Sequence, residues 1–223
     1  ISIAALTARG ISADDAAGAI RFTLGIGSDF FPEIARLRAA RMLWAAIVKE
    51  YGAVDEASAY MHIHAITGRW NKTLYDPYVN MLRTQTEAMS AVLGGAESVT
   101  VEPFDTVFRS AGEFSERIAR NQQLLLMEEA HLDKVVDPGA GSYYIEELTS
   151  MMAGEAWKIF LEIEQVGGFL ASLRKGIIQD RISASAAARK ADMARRKEVL
   201  LGTNQYPDFR ESRAPEHDHD RLF

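Results

Sequence analysis

Three times along this chain a short apolar run ends at a turn and is followed by a long stretch of helical period. The first run, residues 20–26, alternates and stops at Gly27-Ser28; a helix is expected from about Phe31, with Ile34, Leu37, Trp44, Val48 and Tyr51 as its apolar stripe and Gly52 as its stop. The second run, 59–65, leads through Thr67-Gly68-Arg69 to Asp76-Pro77, which reads as an N-cap followed by the first helical residue. The helix after it should present Tyr78, Met81, Leu82, Gln85 and Met89 on one side and end at Gly94-Gly95. The third run, 98–101, ends at Pro103, and a third helix is expected over about 112–130. Strand followed by helix, three times with short connections, is the pattern of parallel βα units, because a parallel pair needs a crossover long enough to carry a helix. The expected fold class is therefore α/β. Three units are too few to close a (β/α)8 TIM-type barrel, which takes about 250 residues. The sheet is either open or part of a larger barrel.

After residue 131 the pattern changes. A glycine-rich turn, Asp137-Pro138-Gly139-Ala140-Gly141-Ser142, precedes a helix over about 145–165 that stops at Gly167-Gly168. Short helical pieces follow, then a basic, alanine-rich helix over 183–201. This divides the chain into a strand-bearing part (1–131), a helical extension (132–203) and a polar tail (204–223) expected to be frayed. Ser12 offers an N-cap for a short helix ahead of the first strand.

Composition narrows the function classes. With 25 Lys plus Arg against 31 Asp plus Glu, the net charge is −6, which disfavours a general nucleic-acid surface. The absence of cysteine excludes disulfides, thiolate metal sites and cysteine nucleophiles. No apolar run reaches the roughly 20 residues of a membrane span. No signal peptide precedes the first elements, so a reducing cytoplasm or organelle matrix is the expected setting. The opening at Ile1, without Met, reads as a piece of something longer.

Candidate chemistry is sparse. His62 and His64 lie two apart, so on a strand they share a face and could hold a metal, and they are expected near the carboxyl end, where parallel α/β folds place active sites. No third ligand stands nearby, and hydrogen-bonded rim histidines are the simpler reading. Arg36, Arg38 and Arg41 could bind an anion, but arginine stems packed on apolar surface with heads on acids such as Glu33 explain them more simply. The turn at Pro138 lacks the Gly-Lys-Ser/Thr ending of a phosphate loop, and close backbone packing suits it better. Arg189, Lys190, Arg195, Arg196 and Lys197 read as a solvated helix face, and the string His217-Asp218-His219-Asp220 as a weak chelator at best.

Four ordered blocks carry a resemblance. They are Phe30-Phe31-Pro32-Glu33-Ile34-Ala35-Arg36-Leu37-Arg38-Ala39-Ala40-Arg41-Met42-Leu43-Trp44; Asp76-Pro77-Tyr78-Val79-Asn80-Met81-Leu82-Arg83-Thr84; Ser115-Glu116-Arg117-Ile118-Ala119-Arg120-Asn121-Gln122; and Asp137-Pro138-Gly139-Ala140-Gly141-Ser142-Tyr143-Tyr144-Ile145-Glu146. Together they resemble the adenosylcobalamin-dependent acyl-CoA mutases, the methylmalonyl-CoA mutase family in particular, over roughly residues 20 to 207. The resemblance implies the C-terminal part of a (β/α)8 barrel, about three βα units, followed by a helical extension. It implies acyl-CoA threading the barrel axis, cobalamin capping the carboxyl ends of the strands, and a cobalamin-ligating domain that these residues do not include.

The site departs from the family pattern. Catalytic chains carry His-x-Gln-x-x-Gly-Trp at the end of the active-site strand; here His64 and Trp70 match, but Ile66 replaces Gln and Arg69 replaces Gly. Counting onward without gaps, positions that carry Gln, Asn and Glu in catalytic chains are Glu97, Glu102 and Thr106. An isoleucine cannot donate to a carbonyl, and a long cation obstructs close approach of a corrin. The resemblance is therefore to the small, non-catalytic subunit of a heterodimeric, cytoplasmic bacterial enzyme. That subunit's catalytic partner interconverts methylmalonyl-CoA and succinyl-CoA by radical rearrangement. His64 keeps the family's substrate-binding position and Trp70 its cofactor-facing one. Adenosylcobalamin and acyl-CoA are expected in the complex rather than on this stretch alone, with neither nucleic acid nor membrane as a partner. Two alternatives stand beside this reading: a working mutase piece tuned to another acyl-CoA, and a metal-binding module through His62 and His64. The open strand edges are expected either to associate or to be covered by the C-terminal helices.

Overall fold

The structure, a computed structural model, describes residues 1–211. Two short helices open it, α1 (Ser2–Thr7) and α2 (Ala13–Gly18), the second capped by Ser12, whose hydroxyl accepts the Asp15 N–H. Then come β1 (Phe22–Ile26), α3 (Phe30–Glu50), β2 (Ile63–Thr67), α4 (Val79–Leu93), β3 (Ser98–Thr100) and α5 (Glu113–Leu124), which runs on as a π turn over Leu125–Glu129. Helices α6 (Tyr143–Gln165), α7 (Phe169–Arg174) and α8 (Ile177–Ala194) follow. The three strands pair in parallel in the order β1-β2-β3, so the expected alternation of parallel strands and helices is present.

The register sorts the side chains onto two unlike faces. Phe22 lies opposite Ile63 and Leu24 opposite Ala65, which continues to Val99. With Ile26 these residues pack on Leu37, Trp44 and Val48 of α3 and Ala91 of α4, forming the main core. Phe22 and Trp44 meet edge to face with centroids 4.8 Å apart. The other face carries the rows Thr23–His64–Ser98 and Gly25–Ile66–Thr100, whose residues are exposed or half-buried. A parallel sheet is ordinarily covered on both faces; here the described helices cover one.

The arginines of α3 are structural. Arg36 Nε donates to Glu33 at 2.8 Å, and Arg41 donates to the carbonyls of Gly94 and Gly95, where α4 ends. Arg38 pairs with Asp137 at 3.0 Å and Glu146 at 2.8 Å and donates to Thr149, binding the glycine-rich turn and the start of α6 to α3. A Cβ on Gly139 would sit 3.1 Å from the Ile145 side chain, so that turn serves close packing.

Several local expectations need correction. Helix α4 begins at Val79, not at Pro77; Asp76 takes a positive φ of 48° and its N–H donates to Glu211, so the Asp-Pro pair is a turn ahead of the helix. The buried side of α4 is Asn80, Thr84, Glu87, Ala88, Ser90 and Ala91, while Tyr78 and Leu82 are exposed. Tertiary hydrogen bonds to the preceding loop outweigh the apolar period there. The last long helix spans Ile177–Ala194 rather than 183–201. Strand β2 begins at Ile63, so His62 precedes it and His64 is its second residue; both lie toward the amino end, not the carboxyl end. In the stretch expected to fray, the part within the described residues makes defined bonds: Asn204 caps Leu200 and donates to Met193 and Glu198 carbonyls, and Glu211 accepts from Asp76. The histidines at 217 and 219 lie outside the described residues.

Candidate functional site at the carboxyl ends of the strands

The segment leaving β2 sets the geometry. Gly68 N–H donates to the Ile26 carbonyl at 2.8 Å, stitching the ends of β1 and β2 together. A Cβ on Gly68 would lie 2.7 Å from that oxygen, so only glycine fits without a backbone shift. The Thr67 hydroxyl, buried, accepts the Glu102 N–H at 2.8 Å and ties the end of β2 to the residues after β3. The Glu102 carboxylate is thereby aimed back across the strand ends, where it accepts Arg69 Nε at 2.6 Å. That hydrogen bond and the charge behind it hold the Arg69 guanidinium above its ordinary value, against a small opposing effect of burial.

Trp70 follows, half exposed. Arg189 of α8 lies over its ring at 5.0 Å, within cation–π range, and pairs with Glu198 at 2.5 Å. The basic cluster is thus not wholly a solvated face: Arg189 belongs to the covering of the strand ends. Between this end of α8 and the turn after β1 lies a cavity of about 640 Å³ bordered by Ser28, Asp29, Asn71 and Glu198.

Beneath Arg69 and Trp70 sits a polar cluster that hydrophobic patterning does not reveal. Lys72 Nζ donates to both Glu87 oxygens at 2.6 and 2.8 Å, and Asn71 Nδ2 donates to Glu87 Oε1 at 2.7 Å. Burial pushes the Glu87 carboxyl up and the Lys72 ammonium down, and their mutual attraction opposes both shifts. One residue on, Thr73 N–H donates to Asn80 Oδ1, while Asn80 Nδ2 reaches the carbonyls of Thr73 and Phe104. The one sequence signal for this cluster is the polar set Asn80, Thr84, Glu87 and Ser90, which falls at helical spacing on α4.

Of the residues singled out in the sequence, Ile66, Arg69, Trp70 and Glu102 meet at the carboxyl ends. His64 lies deeper on the uncovered face, with Nδ1 2.7 Å from Ser98 Oγ and Nε2 3.1 Å from Thr100 Oγ1. A hydroxyl can donate or accept, so both ring nitrogens have a partner. Glu97 lies at the opposite, amino end of β3, paired with His62 at 2.8 Å. Thr106 sits in the turn after β3, its hydroxyl donating to the Pro103 carbonyl. His62 and His64 therefore have separate partners, and among the described residues no group of three or more His, Asp or Glu side chains is placed to hold a metal ion. Among the described residues no helix is long and apolar enough to cross a membrane.

A family model for methylmalonyl-CoA mutase matches residues 2–222. The methylmalonyl-CoA mutase small subunit of Porphyromonas gingivalis is 53% identical over 207 residues, covering 92% of this chain and 34% of its own length. The small subunit from Streptomyces virginiae is 43% identical over 203 residues, covering 91% of this chain and 33% of its own length. A methylmalonyl-CoA mutase large subunit, from Propionibacterium freudenreichii subsp. shermanii, is 41% identical over 197 residues, covering 88% and 27%. The chain spans about a third of the length of these curated relatives.

Proposed function

Because the chain belongs to the methylmalonyl-CoA mutase family, we propose that it is part of a small-subunit-type component of an adenosylcobalamin-dependent methylmalonyl-CoA mutase, silent at its own strand ends and structural support for a catalytic large subunit. The observation that carries this reading is the Arg69–Glu102 pair, 2.6 Å apart across the ends of β2 and β3. A corrin resting on those ends needs a flat, close approach. Arg69 and Glu102 fill it, Arg189 lies over Trp70, and Ile66 offers no hydrogen bond to a thioester carbonyl. These residues do not fit the cofactor, so radical chemistry belongs to the partner and none of its steps runs through this chain. His64, engaged on both ring nitrogens by hydroxyls of β3, acts here as a cross-strand tie.

The architecture supports a place within a closed barrel. Thr23, Gly25, Ser98 and Thr100 are small and line an uncovered face, unlike the branched aliphatics that fill an ordinary barrel. The sheet ends at β1 and β3, and beside β3 lies a cavity of about 570 Å³ bordered by Val99, Leu126, Met127 and Val136, suited to apolar residues of a neighbouring barrel element. On this reading residues 1–131 are a barrel sector, 132–203 a helical extension and 204–223 a tail, in a bacterial cytoplasmic heterodimer.

Turnover separates this role from a working mutase tuned to another acyl-CoA. The full-length protein, alone with adenosylcobalamin and methylmalonyl-CoA, is expected to form no succinyl-CoA and to leave the cobalamin absorption spectrum unchanged. Turnover appears on adding the large subunit. Product formation by the protein alone defeats the proposal.

A further inference from the structure

The segment bearing Arg69 and Trp70 is held from beneath by a buried ion pair between its own loop and α4. Elsewhere this helix meets its neighbours through Ala88 and Ala91 and through uncharged hydrogen bonds from Asn80 to Phe104 and between Thr84 and Gln122. The side chain of Glu87 is 0% exposed and that of Lys72 3%, and Asn71 is buried with them. Lys72 Nζ also donates to Asn71 Oδ1 at 2.9 Å, so the three side chains close a ring of hydrogen bonds. Two of its members are loop residues immediately following Trp70, and the third is anchored in a helix.

A buried ion pair is a poor source of net stability, because apolar residues of similar volume often do as well or better. Its distinctive property is intolerance of losing one partner, which strands a charge away from water. A loop held this way has one well-defined position while both groups are charged and no favourable one when either is neutral. The surrounding charges fit a chain of alternating sign from core to surface. Lys72 is faced by Glu87 and Arg83 of α4 and by Glu102 from the segment after β3. Glu87 is faced by Lys72 and Arg83. Glu102 is the acid that holds Arg69.

We propose that Glu87, Lys72 and Asn71 form a charge latch that positions the Arg69–Trp70 segment: with Glu87 and Lys72 both ionised the segment is clamped, Arg69 on Glu102 and Trp70 under Arg189, and neutralising either ion frees it while the three-stranded scaffold stays folded. The three are positioning residues, acting on the strand ends through the loop backbone. The latch deepens the reading of those ends as closed, but it is read out by the segment's position and not by turnover, so either idea can fail alone.

The directions of titration set the expected response. Burial raises the Glu87 carboxyl and lowers the Lys72 ammonium, so the pH interval in which both are charged is narrower at each end than for free groups. Acid neutralises Glu87 and leaves a buried cation; alkali neutralises Lys72 and leaves a buried anion.

The test is fluorine NMR of the full chain labelled with 5-fluorotryptophan. The three tryptophans give three signals, assigned by W44F, W70F and W157F. Trp44, buried in the main core, reports on the scaffold. In the wild type the Trp70 signal is expected to shift on both the acid and the alkaline side while the Trp44 signal holds its position. K72M is expected to place the Trp70 signal at the shifted position already at neutral pH. K72M/E87Q, which carries no charge in this ring, is expected to lose both pH limbs. Should K72M fail to fold, the wild-type and double-variant series still decide. A wild-type Trp70 signal that stays fixed wherever Trp44 reports an intact scaffold overturns the latch, and so does a response that persists in K72M/E87Q.

Discussion

Gly68→Ala isolates one contact at the carboxyl ends of β1 and β2. The added Cβ would stand 2.7 Å from the Ile26 carbonyl oxygen, and a main-chain atom cannot swing aside as a side chain can. The same oxygen accepts the Gly68 N–H at 2.8 Å, so relieving the clash means stretching the hydrogen bond that joins the two strands. Overpacking that forces a backbone shift costs about 1–3 kcal/mol, and a weakened hydrogen bond adds roughly 0.5–1.5 kcal/mol. The sum is about 1.5–4.5 kcal/mol, or a fall in melting temperature of roughly 3–18 °C for a domain of this size. Gly154→Ala provides the matched control. Gly154 lies inside α6 with nothing within 4 Å of its prospective Cβ, so alanine should stabilise by about 0.5–1 kcal/mol. Urea unfolding followed by circular dichroism measures both variants against the wild type. G68A within about 0.5 kcal/mol of wild type would falsify the close approach, because that is the range of an indifferent surface substitution.

Other substitutions probe the core, the turn at Pro138 and acid stability. Leu37→Ala, at a fully buried position between α3 and the sheet, is expected to cost about 2–5 kcal/mol in the same unfolding experiment. Arg38→Met removes the ties to Asp137, Glu146 and Thr149, so hydrogen exchange should accelerate over residues 137–149 while β1–β3 keep their protection. The Asp14 carboxylate is held below its ordinary value by the Ser58 hydroxyl and by the N–H groups of Val54 and Asp55. A lowered folded-state value contributes stability that is present above the unfolded value and lost as pH falls through the folded one. Asp14→Asn should therefore be less stable at neutral pH and show a shallower loss in the acid limb; an identical acid limb counts against this role. Arg189→Ala removes the cation over Trp70, and acrylamide should then quench Trp70 more strongly, with the Trp44 contribution unchanged.

The alternation of strands and helices was legible because burial on one face enforces it. Ile34, Leu37, Trp44 and Val48 recur at helical spacing because α3 has one face on the sheet, and all four are buried. Gly52 and Gly95 mark helix ends because their φ values, 84° and 80°, suit glycine. Strand limits were less legible. The run 59–65 looks like a strand, yet β2 begins at Ile63, because Ala59 ends a short 3-10 turn and the pairing with β1 starts only at Ile63, opposite Phe22. That displacement moved His62 and His64 from the carboxyl to the amino end. The pairing of Arg69 with Glu102 joins residues 33 apart in sequence, and a long-range contact of this kind leaves no periodic trace.

Helix α4 shows why the remainder was hidden, and why the hidden part concerns the site. Of the residues expected on its apolar side, Tyr78, just ahead of the helix, and Leu82 are exposed, while the polar Asn80, Thr84, Glu87 and Ser90 are buried. Periodicity assumes that burial follows hydrophobicity, which fails wherever a loop brings its own donors and acceptors to be satisfied. The loop after β2 does this: Asn71, Lys72 and Thr73 each bond to a side chain of α4. A loop fixed only by apolar contact could slide along a greasy helix face, because such contacts are non-directional. Hydrogen bonds at 2.6–3.0 Å to Glu87 and Asn80 fix its register instead. The exposed apolar residues follow from the same arrangement. With one face of α4 committed to holding the loop, Leu82 is left on the outside at 66% exposure. The residues that follow Arg69 and Trp70 are thus fixed by a polar clamp, in which Glu87 and Asn80 of the helix hold Asn71, Lys72 and Thr73 of the loop.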